Sequence, residues 1–315
     1  MSSVLIVCIT GASGFLGTHL VPLMRRAGVT IRVLTRSGDA GISDGVQTFI
    51  GDLFDAQSMF TFMDGAELLI NLAQPSVSVD DDRFAEGITN ILDAALMCRV
   101  RRVIHVSTAV VVGTPSVVRV DESSACHPVT SYEVQKFTTE HILLNSRYSD
   151  LDIGILRPTA VFGLGGRNLR KQMAQIFSGN PMHRRLLRFV HSDRRMHLVS
   201  ATDVVEAITF LAFVQRPLAG NIFFISADDE SDNHYQAVDA ILGGVLGAPP
   251  MPKRSLGMPR RVFQLLLMLA GRSQTNPMLI YDASKLRAWG FHRVTDFESE
   301  LRVLGQSYLA AKAPL

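Results

Sequence analysis

The sequence predicts an α/β fold, a doubly wound parallel sheet followed by a smaller C-terminal lobe. Three observations carry this. Short apolar runs alternate with helical patterns over the first half of the 315 residues, and such alternation implies βαβ crossovers. The runs are apolar at successive positions, as in Val4-Leu5-Ile6-Val7-Cys8-Ile9, which suits strands covered on both faces. Beyond about Arg157 the rhythm becomes irregular, as expected of a second lobe. Apolar residues make up 47% of the chain, enough for a sizeable core and too many for a disordered chain.

The elements follow in order. Residues 4–10 read as a strand, 15–27 as a helix and 31–35 as a second strand. Short strands follow at 46–50 and 68–72, then a helix at 83–97 and a strand at 103–107. Residues 131–148 read as a helix and 153–156 as a strand. Pro22 falls inside the first helix and removes one backbone hydrogen bond, so a local kink is expected there. In the second half a helix reads at 203–214, a strand at 221–225, an apolar helix around residue 265, and helical pieces over 286–304. The expected division is a cofactor domain over 1–165 and a substrate-binding lobe over 166–315, with segments near 195–230 returning to the first domain.

Thr10-Gly11-Ala12-Ser13-Gly14-Phe15-Leu16-Gly17 closes the first strand and opens the first helix. Glycines at this spacing allow a tight turn, close approach of a pyrophosphate, and close helix–strand packing. The helix N-terminus then offers unpaired N–H groups to phosphate. In this context the motif predicts a Rossmann domain. Gly11, Ser13, Gly14, Phe15, Leu16 and Gly17 are its candidate cofactor contacts.

The second strand ends in Arg36, where an acid would accept from the ribose hydroxyls of NAD. A guanidinium can pair with a 2′-phosphate and stack on adenine. This favours NADP(H) and leaves NAD(H) open. Asp52 and Leu53, after the third strand, can hold the adenine edge. Leu72 and Ala73, ending the fourth, can line the pyrophosphate.

Tyr132 and Lys136 are four residues apart and share one helix face. A free phenol titrates near pH 10; a neighbouring ammonium and a cationic nicotinamide would lower it. Tyrosine can then pass a proton to or from a carbonyl or alcohol while hydride moves. Thr108, just past the fifth strand, can hydrogen-bond the same oxygen.

Together these segments resemble the extended short-chain dehydrogenase/reductases, the nucleotide-sugar epimerase/dehydratase group. The resemblance lies in TGASGFLG (10–17), GDL (51–53), NLA (71–73), VSTAVVVG (106–113), DESSACHPVTSYEVQKFTTE (121–140), LRPTAVFG (156–163) and TDVVEAI (202–208). It implies an NAD(P)-dependent enzyme with Thr108, Tyr132 and Lys136 as a catalytic triad and Arg157 beside the nicotinamide. Two departures stand out. Val112 replaces a tyrosine common among relatives, which weakens an epimerase reading. No acid adjoins Thr108, which argues against a dehydratase.

The second half resembles, more weakly, the bacterial nucleotide-sugar 4-ketoreductases. That implies hydride transfer at C4 of a nucleoside-diphosphate sugar, with Asn168, Arg194 and Arg195 on the substrate. Arg184, Arg185 and Arg188 are further candidates for a diphosphate clamp. Trp289 reads as core packing. Two alternatives remain. The apolar stretch 262–270 suggests a hydroxysteroid- or dihydroflavonol-type reductase of an apolar substrate, and a non-catalytic NAD(P)-binding scaffold is the third reading.

The net charge is +2, with both signs spread along the chain, so nucleic acid is not an expected partner. The nine histidines show no metal-ligand spacing. Cys8, Cys98 and Cys126 stand far apart, which points to a reduced, cytoplasmic protein. No apolar run reaches the roughly 20 residues needed to span a bilayer. A homodimer is compatible with all of this.

Overall fold

The computed structural model describes residues 5–36, 45–75, 80–115, 117–269 and 276–312. Val4 and Ala270, at the ends of two expected segments, lie outside them. The chain forms two compact units, one of residues 1–111, 128–157 and 205–223, the other of 112–127, 158–204 and 224–315.

In the first unit β1 (Ile6–Thr10) leads into α1 (Phe15–Arg26), then β2 (Thr30–Thr35), β3 (Gln47–Ile50) and α2 (Ala56–Met63). There follow β4 (Leu68–Asn71), α3 (Asp81–Met97) and β5 (Arg102–Val106). Next come β6 (Arg119–Val120), α4 (Ser131–Leu143), β7 (Asp152–Pro158), β8 (Ala160–Phe162), α5 (Arg170–Phe177) and α6 (Pro181–His191). The remaining elements are β9 (Leu198–Ser200), α7 (Ala201–Phe213), β10 (Asn221–Ile225), α8 (Tyr235–Val245), α9 (Arg260–Leu269), β11 (Ile280–Tyr281), α10 (Ser284–Ala288) and α11 (Phe297–Ala310).

The main sheet has seven strands in the order β10-β7-β5-β4-β1-β2-β3. Each pairing from β7 to β3 is parallel. This is the doubly wound Rossmann order, and its direction reverses between β1 and β4, where such sheets bind ligands. Consecutive β1 residues are buried because the sheet is covered on both sides. Cys8 joins Met59, Phe62 and Met63 of α2, Phe84 and Ile88 of α3, and Leu143 of α4 in one apolar cluster. Pro22 sits within α1, which remains one helix to Arg26.

Several helix readings change. The expected helix over 131–148 ends at Leu143, and Ser146–Tyr148 forms a separate 3-10 turn. The cause is local, because the Asn145 side chain accepts from the Arg147 N–H and caps the turn. Helices α2, α5, α6 and α8 lie outside the helices expected from the sequence; α2 has eight residues, and its Asp55 cap accepts from the Gln57 and Ser58 N–H groups.

The second unit holds two small parallel pairs, β8–β9 and β6–β11. Phe162, Met173, Ile176, Val238, Leu242, Phe297 and Leu301 are among the residues of its core. Trp289 is half-buried at the end of α10, whose buried anchor is Leu286.

Candidate active site

The turn after β1 is built on contacts that a side chain would block. Gly11 has φ +69°, and a Cβ there would lie 2.9 Å from the Ala73 nitrogen. A Cβ on Gly17 would run into the backbone of Ala12. Gly14 caps α1 in extended conformation, without any side-chain hydrogen bond. The turn therefore presents bare backbone at a helix N-terminus, beside the switch point of the sheet. That cradle fits the pyrophosphate of a dinucleotide.

A buried polar chain ties this turn to the strands beneath it. The Thr10 hydroxyl donates to Asn71 Oδ1 at 2.6 Å and accepts from the Ala73 N–H at 3.2 Å. Asn71 Nδ2 meets His105 Nδ1 at 3.0 Å. Burial holds His105 well below the usual imidazole range, so the ring is neutral and can accept from Asn71. Leu72 donates its N–H to the Thr10 carbonyl at 3.3 Å. Asp52 accepts from the Phe54 N–H, and the Leu53 carbonyl accepts from Asn90 Nδ2. Arg36 is exposed at the end of β2.

Helix α4 begins with a capping box in which Thr130 and Glu133 satisfy each other's backbone N–H groups. This fixes Tyr132 in the first turn and Lys136 one turn on. The Thr108 side chain lies beside the Tyr132 phenol and acts to lower it. Tyr132 is 42% exposed as a residue, yet its hydroxyl end lies in a desolvated setting that pushes the phenol up from its ordinary value. Lys136 is buried, and its Nζ donates to the Val106 carbonyl at 2.9 Å. Burial pulls this ammonium down to about 8, while Glu140 acts in the opposite sense. The sequence leads one to expect Lys136 to lower the phenol. In the protein alone burial prevails, and the group that lowers Tyr132 is Thr108.

Glu140 was not legible as a site residue. It sits one turn beyond Lys136, buried, and clamps Arg157 through Nε–Oε1 at 2.9 Å and Nη2–Oε2 at 2.5 Å. One carboxylate thus faces both cations of the site. The four-residue step from Lys136 was the only available signal.

In the second unit, the basic segment divides. Arg184 and Arg188 are buried, and Asp239 accepts from both, at 3.0 and 2.7 Å. Their other nitrogens reach the carbonyls of Asp239, Gln236, Pro249 and Pro252. Both guanidinium groups thus engage acceptors of this unit, where the sequence suggested candidates for a diphosphate clamp. Arg195 Nη1 donates to the Asp228 carbonyl, and Arg194 stacks over Phe263 at 5.8 Å. Asn168 Nδ2 donates to the Val161 carbonyl. Among the described residues, no cluster of three or more His, Cys, Asp or Glu could hold a metal ion.

A family model described as the NAD dependent epimerase/dehydratase family matches residues 7–225. The chain belongs to this family. It is accordingly an NAD-dependent enzyme of oxidoreductase or epimerase type. Among curated relatives of this family member is a 4-hydroxy-2-methyl-3-oxo-4-farnesyl-3,4-dihydroquinoline-1-oxide ketoreductase of Stigmatella aurantiaca. It is 26% identical over 231 residues, 69% of this chain and 67% of that protein. Sterol demethylase protein B of Methylococcus capsulatus is 26% identical over 278 residues, 83% and 80% of the two chains. Among solved structures, the Bordetella bronchiseptica enzyme WbmG in complex with NAD and UDP superposes with a TM-score of 0.74. It is 22% identical, with 98% and 96% of the two chains covered.

Proposed function

We propose that this family member is an NAD(P)-dependent oxidoreductase that moves hydride to or from a carbonyl or alcohol carbon, with Tyr132 handling the proton. The observation that carries this is the placement of Tyr132, with Thr108 beside it, one helical turn from the buried Lys136 ammonium. A phenol raised by burial stays protonated at neutral pH, the state needed to donate to a ketone oxygen. Thr108 orients that oxygen. When bound, the nicotinamide supplies or accepts the hydride. Lys136, one turn on, would reach the nicotinamide ribose, and Glu140 holds Arg157 at its side. Gly11, Ser13, Gly14, Phe15, Leu16 and Gly17 would receive the pyrophosphate, with Leu72 and Ala73 beside it and Asp52 and Leu53 at the adenine. In this reading the Rossmann part, residues 1–165, binds cofactor, and residues 166–315 mainly bind substrate, with 195–230 returning to the first part. Arg36 supports a preference for NADP(H). Three free cysteines support a reducing, cytoplasmic setting.

For the substrate we propose C4 of a nucleoside-diphosphate sugar, with Asn168, Arg194 and Arg195 as contacts. A second reading, an apolar ketone or alcohol, is favoured by the engagement of Arg184 and Arg188 with Asp239. The names of the ketoreductase and sterol demethylase relatives point the same way. Thermal shift with UDP separates the two, since only the first predicts stabilisation. Turnover of 4-keto nucleotide sugars against sterol and isoprenoid ketones then tests the chemistry. Tyr132→Phe removes only the hydroxyl, so cofactor binding should survive while kcat falls about 10²–10⁴-fold. Turnover by this variant at the wild-type rate would place the proton donor elsewhere.

A further inference from the structure

Two helices of the second unit each present an apolar stripe outward. On α6, Met182, Leu186 and Phe189 are exposed, while Arg184 and Arg188 point inward. On α9, Phe263 and Leu267 are buried, while Val262, Leu265, Leu266 and Leu269 are exposed, Leu269 at 76%. The spacings are those of a single helix face. The C-terminal end of α6 lies against the start of α9. The Met258 N–H donates to the Phe189 carbonyl at 2.7 Å, and the His191 and Phe263 rings lie 5.6 Å apart. Leu256, in the segment between them, is 93% exposed.

The charged groups within the two segments that carry these stripes are all basic. Residues 181–192 and 249–269 contain no Asp or Glu. Asp193, next in sequence, is engaged by Arg260 at 2.5 Å. Arg185, Arg254 and Arg261 are exposed and have no carboxylate partner among the described residues. A soluble surface seldom exposes so many large apolar groups together. Apolar residues edged by unpaired arginines match the boundary of an anionic bilayer, with acyl chains below and phosphates above. At ten residues α9 is too short to cross a membrane, and no helix among the described residues is long and apolar enough to do so.

We propose that the α6–α9 face docks this protein peripherally on an anionic membrane surface, with both helices lying in the interface plane. The leucines and Phe189 enter the acyl boundary, and Arg185, Arg254 and Arg261 meet headgroup phosphates. This does not depend on which substrate reading holds.

The test is co-sedimentation of the full chain with vesicles of phosphatidylcholine, or of phosphatidylcholine mixed with phosphatidylglycerol. The chain should pellet with the mixed vesicles at low salt and less as salt rises. Each cation near such a surface contributes about fivefold, so Arg185→Gln with Arg261→Gln should weaken partitioning roughly 25-fold. Leu265→Asp with Leu269→Asp should weaken it at least about tenfold. Both double variants change exposed side chains, and unaltered melting and cofactor binding serve as controls. Failure of the wild type to pellet overturns the proposal. So does undiminished binding by the leucine variant. A wild-type dimer that the leucine variant splits to monomers, in light scattering, would show instead that a second copy covers this face.

Discussion

Replacing Glu140 by glutamine keeps the shape of the side chain and removes its charge. Two consequences follow from the geometry. Arg157 loses the anionic partner that it holds through two nitrogens while both groups are buried. Breaking one side of such a pair costs about 3–5 kcal/mol, to be read by urea denaturation. Lys136 loses the one group that opposes its desolvation. Side chains one helical turn apart lie roughly 6 Å from each other, and at an effective dielectric near 20 that separation corresponds to at most about two pK units. The ammonium, already at about 8, should then titrate closer to neutrality.

The sign of the pH effect follows from the lowered value. The lysine titrates at about 8 in the folded protein against an ordinary 10.5. Above pH 8 the unfolded chain therefore holds more protons than the folded one, and stability rises with pH up to about 10.5. Below pH 8 the full cost of the buried ammonium is present, on the order of 3 kcal/mol. The same titration should appear in activity. With Lys136 charged in the working state, kcat/KM for ketone reduction should fall above about pH 8, and Glu140→Gln should move that limb to lower pH. Lys136→Arg, which does not titrate in this range, should remove the limb. If Glu140→Gln is destabilised but keeps the wild-type alkaline limb, Glu140 merely braces Arg157, and the proposed coupling to Lys136 is wrong.

Gly11→Ala should reduce NAD(P) affinity and stability together, by about 1–2 kcal/mol for the left-handed backbone and more for the contact with Ala73; isothermal titration and a melting curve measure both. Arg36→Ala should weaken NADPH roughly 10–100-fold and leave NADH nearly unchanged, and tighter NAD(H) than NADP(H) binding by the wild type would refute the preference. Asp239→Asn should destabilise the second unit by about 3–5 kcal/mol, because two buried guanidinium groups lose their shared carboxylate; unchanged stability in urea would return Arg184 and Arg188 to the list of ligand contacts.

What was legible in the sequence is what local periodicity and local chemistry encode. The strand runs of the Rossmann sheet, the glycine turn and the four-residue step from Tyr132 to Lys136 each depend on a few consecutive residues. The structure places them as strands, a positive-φ turn and one turn of α4. The loss of strand–helix rhythm beyond about Arg157 is likewise read from consecutive residues. Tertiary structure decided matters that turn on partners distant in the chain. Arg184 and Arg188 look the same in sequence as Arg185, yet Asp239, 55 and 51 residues away, engages the first two and leaves the third exposed. Glu140 gained its role from Arg157, 17 residues on. The direction of the Tyr132 shift was likewise set by burial, which no spacing reveals. A buried charge takes its function from whichever opposite charge the fold brings to it, because desolvation leaves it no stable alternative.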